Sequence, residues 1–347
     1  MVERKVALIT DTHFGIRKGS QVFHDYFKKF YEETFFPCLD DRGIDTVVHL
    51  GDCFDVRKGI DYWSLDWAKT HFFNPLKERG IKLHLIVGNH DIFYKNTLSI
   101  NSPGLNLREY DNISIYSKPQ TISIMDRLCF MVPWICEGNA EDFVEQLESS
   151  DADVCMGHLE LAGFYANKDY QCQHGTDSKI FSKFDIVFSG HFHKKSTSGN
   201  ITYLGNPYQL YWNDEGDTRG FHIFDLDTKE LEFIENPNTM FHKIYYNEDK
   251  KQLINPHKVT NSYVKVIVEG NSTPQKLNRL VDSFYSVGIH DLKVIENFDL
   301  SIDDDIEIES EDTLTTLTRY VKAMEDNFNK EHVIDIFKSL YVESQEV

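Results

Sequence analysis

Five short polar motifs, each directly after a run of apolar residues, constrain the fold of this chain more than any other feature. They are Asp11-Thr-His13 after KVALIT, Gly51-Asp52-Cys-Phe-Asp55 after TVVHL, Gly88-Asn89-His90-Asp91 after LHLIV, Gly157-His158 after DVCM, and Gly190-His191-Phe-His193 after DIVFS. Short runs rich in Val and Ile are typical of buried strands. Because loops at the carboxyl ends of neighbouring strands meet at one edge of a sheet, the motifs predict one site built from several loops.

The spacing of strands and helices indicates the fold class. Apolar runs predict strands at residues 5–10, 46–50, 83–87, 154–156, 186–189, 201–204 and 221–224, and helical patterns predict helices at 21–39 and 62–77. Strand, helix and strand at this spacing favour parallel βαβ units. The later strands lie closer together and end in turns. We therefore expect an α/β (α+β) fold with mixed β-sheets packed face to face and flanked by helices.

The chain divides into four parts by pattern and charge. Residues 1–240 hold all five motifs, and residues 241–295 read as a small α+β domain with a strand at 263–268, a helix at 274–287 and a strand at 292–295. Residues 296–312 contain nine acids and no Lys or Arg, which is typical of a solvated linker. Residues 313–347 have apolar residues at helical spacing and predict one or two amphipathic C-terminal helices.

Composition excludes several classes of protein. With 36 Lys and Arg against 56 Asp and Glu, the formal net charge is −20, which argues against a simple nucleic-acid-binding module. No apolar stretch is long enough to cross a membrane, and the N-terminus has no signal-peptide pattern. The six cysteines have no CxxC spacing, so we expect reduced thiols and a cytoplasmic protein.

The residue types in the motifs predict a metal centre. Asp, His and Asn without Cys suit Mn²⁺, Fe²⁺ or Zn²⁺, and two such ions about 3.5–4 Å apart assist displacement at phosphorus. A single histidine beside a strand is more often structural, but five ordered motifs are not explained in that way. The candidate ligands are Asp11, His13, Asp52, Asn89, His158, His191 and His193.

The order DxH, GDxxD, GNHD, GH and GHxH, over residues 4–235, resembles the calcineurin-like metallophosphoesterase superfamily. The stretches GDCFDVRK, HLIVGNHD, VPWICEGN, GHLELAGFY and SGHFH are most similar to the SbcD-type nuclease subunits of double-strand-break repair complexes, in particular to the T-even bacteriophage recombination endonuclease subunits. The resemblance implies a four-layer sandwich fold and an exo- or endonuclease that hydrolyses phosphodiester bonds at double-strand DNA ends. It also implies two divalent metal ions, Mn²⁺ first and Mg²⁺ as the alternative.

The resemblance also implies individual roles. One metal would be bound by Asp11, His13, Asp52 and His193, and the other by Asp52, Asn89, His158 and His191, with Asp52 as the bridge. His90 would be the general acid or would stabilise charge on the leaving oxygen, and Asp91 would orient His90 or a nearby backbone group. Many cellular relatives have a histidine where Asp55 stands. This carboxylate can orient a ligand but cannot donate a proton at neutral pH.

Basic residues follow several of the motifs, although the whole chain is acidic. If the loops share one rim, these cations can neutralise DNA phosphates, whereas the alternative is an ordinary solvated surface. The candidates for DNA contact are Arg17, Lys18, Arg57, Lys58, Lys95, Lys194 and Lys195.

The chain has no GxxxxGK[ST] motif, so it does not bind ATP through a P-loop of its own. The resemblance implies a coiled-coil ABC-type ATPase partner that residues 313–347 would dock, the alternative being a helix that packs on its own domain. It also implies homodimerisation through residues 60–73, whose aromatic side chains exceed what a solvated helix needs. Two other functions remain open: a phosphatase or cyclic-nucleotide phosphodiesterase with the same metal site, and a non-enzymatic adaptor for the ATPase.

Overall fold

The computed structural model describes residues 4–165, 171–173, 175–250, 254–270 and 272–296. All of these belong to one compact unit, Met1–Glu296. The predicted linker beyond Glu296 and the predicted C-terminal helices of residues 313–347 lie outside the described residues. Among the described helices, none combines the length and the apolar character needed to cross a membrane.

The first sheet aligns the ends of three motif-bearing strands. Its six strands lie in the order Leu231–Glu235, Gly220–Asp225, Lys5–Ile9, Thr46–His49, Lys82–Ile86 and Ile113–Tyr116. The last four are parallel to one another and the first two are antiparallel to their neighbours. In register, Ile9 pairs with His49 and His49 with Leu85. The residues that follow these three positions therefore leave the sheet at the same edge.

The second sheet aligns the remaining two motifs. Its strands lie in the order Gln120–Ile124, Arg127–Val132, Val154–His158, Ile186–Gly190, Ile201–Tyr203 and Ser196–Ser198, and the four central ones are parallel. His158 is paired with Gly190, so His158 lies beside the start of the GHFH loop.

The two sheets pack face to face, with helices on the outer faces. One core cluster lies between the sheets and includes Val6, Val48 and Ile86 from the first sheet and Met156 and Phe188 from the second. A second cluster joins the outer face of the first sheet to its helices, and a third joins the outer face of the second sheet to helix Ala140–Ser149. This confirms the predicted class of stacked mixed sheets flanked by helices.

Two long helices cover the first sheet, and both contain a π turn. Gln21–Phe30 continues through Tyr31–Phe35 into Phe36–Arg42, and Tyr62–Ala68 continues through Lys69–Phe73 into Asn74–Glu78. Each π turn ends beside a proline, Pro37 or Pro75, which cannot donate the i to i−4 hydrogen bond and crowds the preceding carbonyl. Shorter helical segments are Ile16–Gly19, Ser102–Asn106, Ser178–Phe181, Trp212–Asp214 and Pro256–Val259.

The second long helix exposes less apolar surface than its sequence suggests. Trp67 is 6% exposed and Phe72 and Phe73 are fully buried, so these rings belong to the core under the first sheet. Tyr62 and Trp63 remain 91% and 44% exposed. The exposed aromatic surface of this helix therefore lies in its first turn.

A third sheet follows the two large ones. Phe241–Tyr246, Tyr263–Val268 and Asp291–Glu296 are parallel, and helix Pro274–Ser286 packs on them around a separate cluster that includes Val264, Val266 and Phe284. The strand at Phe241–Tyr246 was not predicted from the sequence. Separation of residues 241–295 as a domain stays a prediction.

Candidate metal centre

Four of the predicted ligands meet at the edge where the two sheets adjoin. Nε2 of His158 lies 3.2 Å from Oδ2 of Asp52 and 2.9 Å from Oδ1 of Asn89. Nδ1 of His191 lies 2.9 Å from the same Asn89 oxygen. Asp52, His158 and His191 each offer one donor atom, and these atoms lie within 4.8 Å of one another, close enough to surround one ion.

The other ligand candidates form a second group beside the first. Donor atoms of Asp11, His13 and His193 lie within 4.8 Å of one another. Nε2 of His13 is 3.1 Å from Nε2 of His193 and 4.0 Å from Oδ2 of Asp52, so Asp52 is next to both groups. The structure thus brings all seven predicted ligands together, and their role as ligands stays a prediction.

The hydrogen bonds of the histidines fit a pair of cations. Nδ1 of His158 contacts the carbonyl oxygen of Leu50 at 2.8 Å, and Nδ1 of His13 contacts Oδ1 of Asp55 at 3.1 Å. Each imidazole therefore donates from Nδ1 and directs the Nε2 lone pair into the site, the usual arrangement of metal-bound histidine. A cation between the facing Nε2 atoms of His13 and His193 would use both lone pairs.

The carboxylates make this site strongly negative. Burial alone would lower the pKa of His13, but the hydrogen bond with Asp55 and the charge of Asp52 outweigh it and raise the pKa to about 9. Burial would also lower the pKa of His158, and Asp52 raises it to about 9. For Asp52, burial would raise the pKa, yet His158 and His90 hold it well below its usual value. A field that favours positive charge on buried imidazoles also favours a divalent cation.

The backbone at the site adopts a left-handed conformation that residues other than glycine seldom take. Asp11, His13, Asp52 and His191 have φ values of 53°, 44°, 52° and 85°. Left-handed backbone at residues other than glycine costs free energy and is concentrated at functional sites. Here it turns each side chain back over the sheet edge immediately after its strand.

Two motif glycines lie so close to a neighbouring loop that a side chain would not fit. A Cβ atom on Gly88 would lie 2.2 Å from Oδ1 and 2.3 Å from the backbone nitrogen of Asp52. A Cβ atom on Gly190 would lie 2.1 Å from Oγ1 of Thr10. The absence of a side chain lets the GNHD and GHFH loops pack directly on the loops of the first two strands.

His90 is held at the border of both groups. Its backbone nitrogen donates to Oδ1 of Asp52 at 2.8 Å, and its Nδ1 donates to the backbone carbonyl of Asp55 at 2.6 Å. The His90 and His13 rings are 4.9 Å apart in an edge-to-face arrangement. Since Nδ1 is occupied, Nε2 is the atom of His90 available to a substrate.

The Asp91 carboxylate is hydrogen-bonded to backbone nitrogens rather than to the His90 ring. Its buried carboxylate accepts hydrogen bonds from the backbone nitrogens of Gly88 at 2.9 Å, Cys53 at 3.1 Å and Phe54 at 3.1 Å. Of the two partners expected for Asp91, a neighbouring backbone group is the one the structure brings to it. These bonds join the GNHD loop to the GDCFD loop.

The predicted DNA-contacting cations occupy three kinds of position. Nε of Arg57 donates to the backbone carbonyl of Asn89 at 2.8 Å, which ties this cation to the metal-site loop. Lys18, Lys58 and Lys95 are exposed on the surface.

Three other predicted cations pack against aromatic rings. Such contacts stabilise a cation and restrict its reach. The distances to the ring centres are 5.0 Å for Arg17 over Phe23, 5.9 Å for Lys194 over Tyr165 and 3.3 Å for Lys195 over Phe233.

A buried ion pair behind His193 was missed from the sequence. Nη2 of Arg219 lies 2.8 Å from Oδ1 of Asp214, and Nη1 of Arg219 donates to the backbone carbonyl of His193 and to Oδ1 of Asn206. Oδ2 of Asp214 accepts from the backbone nitrogen of Tyr211 at 3.0 Å. The stretch NDEGDTR reads as a solvated loop, so no pattern in the sequence pointed to this pair.

Trp134 was also missed as a site residue. Its ring lies 4.9 Å from the ring of His191, and its backbone nitrogen donates to the carbonyl of Val87 at 2.9 Å. A usable signal existed, because Trp134 follows strand Arg127–Val132 just as the five motifs follow theirs.

Comparisons with known proteins show which proteins this chain is similar to. The sequence model of the family described as calcineurin-like phosphoesterase matches residues 4–195. The chain is 34% identical to exonuclease subunit 1 of Enterobacteria phage T4, over 98% of this chain and 99% of the phage protein. It is 22% identical to the DNA double-strand break repair protein Mre11 of Methanocaldococcus jannaschii, over 96% of this chain and 93% of the archaeal protein. A solved archaeal phosphodiesterase is similar with a TM-score of 0.35 and 14% identity, over 67% of this chain and 99% of the other.

Proposed function

The chain belongs to the calcineurin-like phosphoesterase family and is a metal-dependent phosphodiesterase, and we propose that its substrate is DNA. The proposed activity is an exo- or endonuclease at double-strand ends, within a recombination and repair complex. The observation that carries the proposal is the convergence of two donor groups on Asp52, next to a histidine with a free Nε2. Two relatives along nearly the whole chain are named as an exonuclease subunit and a double-strand break repair protein.

The proposed ligand sets follow the two donor groups. Asp11, His13, Asp52 and His193 would hold one ion, and Asp52, Asn89, His158 and His191 the other. Oxygen and imidazole donors without thiolate favour Mn²⁺, with Mg²⁺ as the alternative. When bound, two such ions activate water and offset the charge that develops at phosphorus.

The remaining residues of the centre would position these groups and handle the leaving oxygen. His90 presents Nε2 because Nδ1 is engaged by the Asp55 carbonyl, so His90 is proposed to protonate or stabilise the leaving oxygen. The Asp55 carboxylate would keep His13 in the tautomer that directs Nε2 to the ion. Asp91 would maintain the geometry by bonding three backbone amides of adjacent loops.

Assembly with other subunits is part of the proposal. The name of the phage relative describes a subunit, which supports a partner for this chain too. We propose that residues 313–347 dock a coiled-coil ABC-type ATPase and that the first turn of helix Tyr62–Ala68 contributes to a homodimer. Deletion of residues 313–347 should preserve Mn²⁺-dependent cleavage and abolish co-purification of the ATPase. Retained co-purification would contradict the docking role.

The decisive experiment compares substrates with the full chain and Mn²⁺ or Mg²⁺. End-labelled duplex and hairpin DNA should be cleaved, whereas exclusive turnover of a small chromogenic phosphodiester would favour the alternative of a small-substrate phosphodiesterase. Asn89→Ala and His193→Ala should each abolish cleavage while the protein remains folded. His84→Ala is the control, because His84 lies in strand Lys82–Ile86, which precedes the GNHD loop, but is hydrogen-bonded to Tyr116 outside the site. Full activity in both site variants would refute the ligand assignment.

A further inference from the structure

Two exposed aromatic side chains follow the metal-site loop. Phe93 and Tyr94 come directly after the GNHD motif and Ile92, and they are 37% and 51% exposed. Their rings lie 4.8 Å apart at 77°, in an edge-to-face pair. Lys95 follows them and is also exposed. Neither ring is a member of the hydrophobic clusters of the described residues, so both present aromatic surface to water.

Backbone hydrogen bonds hold the base of the loop that carries these rings. Ile92 is bridged to Asn101, and the backbone nitrogen of Phe93 donates to the carbonyl of Ile100 at 3.0 Å. The backbone nitrogen of Ser102 donates to the carbonyl of Asp91 at 2.7 Å. Residues 92–101 therefore form a closed loop based on the same Asp91 that ties the metal-site loops together.

The base of this loop also contacts the metal centre through Trp134. Ile92 and Leu98 are buried in a small cluster against which Trp134 packs, and Trp134 lies 4.9 Å from His191. Inward-facing Ile92 thus fixes the loop to the centre, and the next two residues are left at the surface. The position of Phe93 and Tyr94 relative to the proposed ions is consequently constrained rather than free.

The chemistry around the rings favours a nucleobase as their ligand. Flat π surfaces stack on any base, independent of sequence. Lys95, which is exposed on the same loop, attracts a polyanion rather than an apolar protein segment. We propose that Phe93 and Tyr94 form a stacking subsite for an unpaired base of the DNA strand whose phosphate is at the metal centre. This rests on the proposed nuclease function.

The test uses the full chain with Mn²⁺ and duplexes that carry an overhang with 2-aminopurine at an unpaired position. Rapid-mixing fluorescence, recorded before cleavage, reports stacking, and steady-state cleavage gives KM. Phe93→Ala/Tyr94→Ala should lose the quenching on binding and raise KM at least about fivefold, the lower end expected for one base–aromatic stack. Tyr94→Phe should retain both, because it keeps the ring.

Leu128→Ala is the matched control, since Leu128 is 47% exposed on strand Arg127–Val132 of the second sheet. It should leave quenching and KM unchanged. Unchanged quenching and KM in the double variant would overturn the subsite. This holds even if the double variant loses binding to a protein partner, because the rings would then serve that partner and not a base. If the wild type hydrolyses a small phosphodiester but no DNA, the nuclease function itself fails before any variant is compared.

Discussion

Replacing Arg219 by alanine should reveal how much of the metal centre depends on a buried ion pair behind it. The side chains of Arg219 and Asp214 are only 4% and 6% exposed. Removing the guanidinium leaves a buried carboxylate without its counter-charge, and it leaves the carbonyl of His193 with the backbone nitrogen of Asn206, at 3.3 Å, as its remaining donor. Breaking one partner of such a pair costs about 3–5 kcal/mol. We expect the free energy of unfolding of Arg219→Ala to fall by about this amount.

The assay is urea unfolding of the metal-free protein, so that ion binding adds nothing to the measured stability. Arg42→Ala makes the same chemical change in an exposed pair, because Arg42 and Glu232 are 36% and 54% exposed. An exposed pair contributes about 0–1 kcal/mol. A loss at Arg219 no larger than the loss at Arg42 would refute the reasoning from burial.

A second measurement separates general stability from positioning of His193. If Arg219 positions His193, Arg219→Ala should weaken Mn²⁺ binding in titration calorimetry at temperatures where the variant is still folded. Arg219→Lys should restore part of the stability through its charge but not the full Mn²⁺ affinity, because an ammonium cannot reach the carboxylate and the carbonyl together. Wild-type Mn²⁺ affinity in a folded Arg219→Ala would remove the positioning role.

Three further substitutions test separate parts of the structure. Gly88→Ala should prevent Mn²⁺ binding, since the new Cβ would lie 2.2 Å from Oδ1 of Asp52. Gly59→Ala is the control and should bind Mn²⁺ normally, because a Cβ there has no neighbour within 4 Å. Titration calorimetry compares the Mn²⁺ affinities of the two variants. Asp91→Ala should lower the free energy of unfolding by about 1–3 kcal/mol, because buried backbone donors would lose their acceptor; an unchanged urea midpoint would contradict this. Lys58→Glu should weaken binding to any DNA sequence and reduce the salt slope by about one or more, and an unaltered slope would count against a phosphate contact.

The site was predictable because its information is local. Each motif follows a strand, and the strands run parallel, so the order of the motifs alone placed them at one edge. The resemblance to calcineurin-like phosphoesterases is confirmed by the family match over residues 4–195. The division of the seven residues into two groups came from the resemblance and not from spacing. The spacing of the motifs cannot give this division, because the division depends on how the second sheet is placed against the first.

Features that depend on distant contacts were not predictable. The aromatic residues Trp67, Phe72 and Phe73 suggested an interface, but they pack in the core, because the helix turns this side toward the first sheet. The strand Phe241–Tyr246 has polar and apolar residues without a clear period, and its pairing with Tyr263–Val268 defines it. Arg219 bonds to His193 across 26 positions of the chain, a link that no local pattern contains.

The negative net charge of the chain is compatible with a DNA substrate once its distribution around the metal centre is considered. Of the net charge of −20, residues 296–312 contribute −9, so much of the acidity lies away from the motif-bearing part of the sequence. Within the centre, Asp11, Asp52, Asp55 and Asp91 place four carboxyl groups near the position that a phosphate must occupy. Two divalent ions carry four positive charges and would offset this field. The positive potential that DNA needs would then come chiefly from the bound ions, with the exposed lysines guiding the strand toward them, which is how an acidic chain can act on a polyanion.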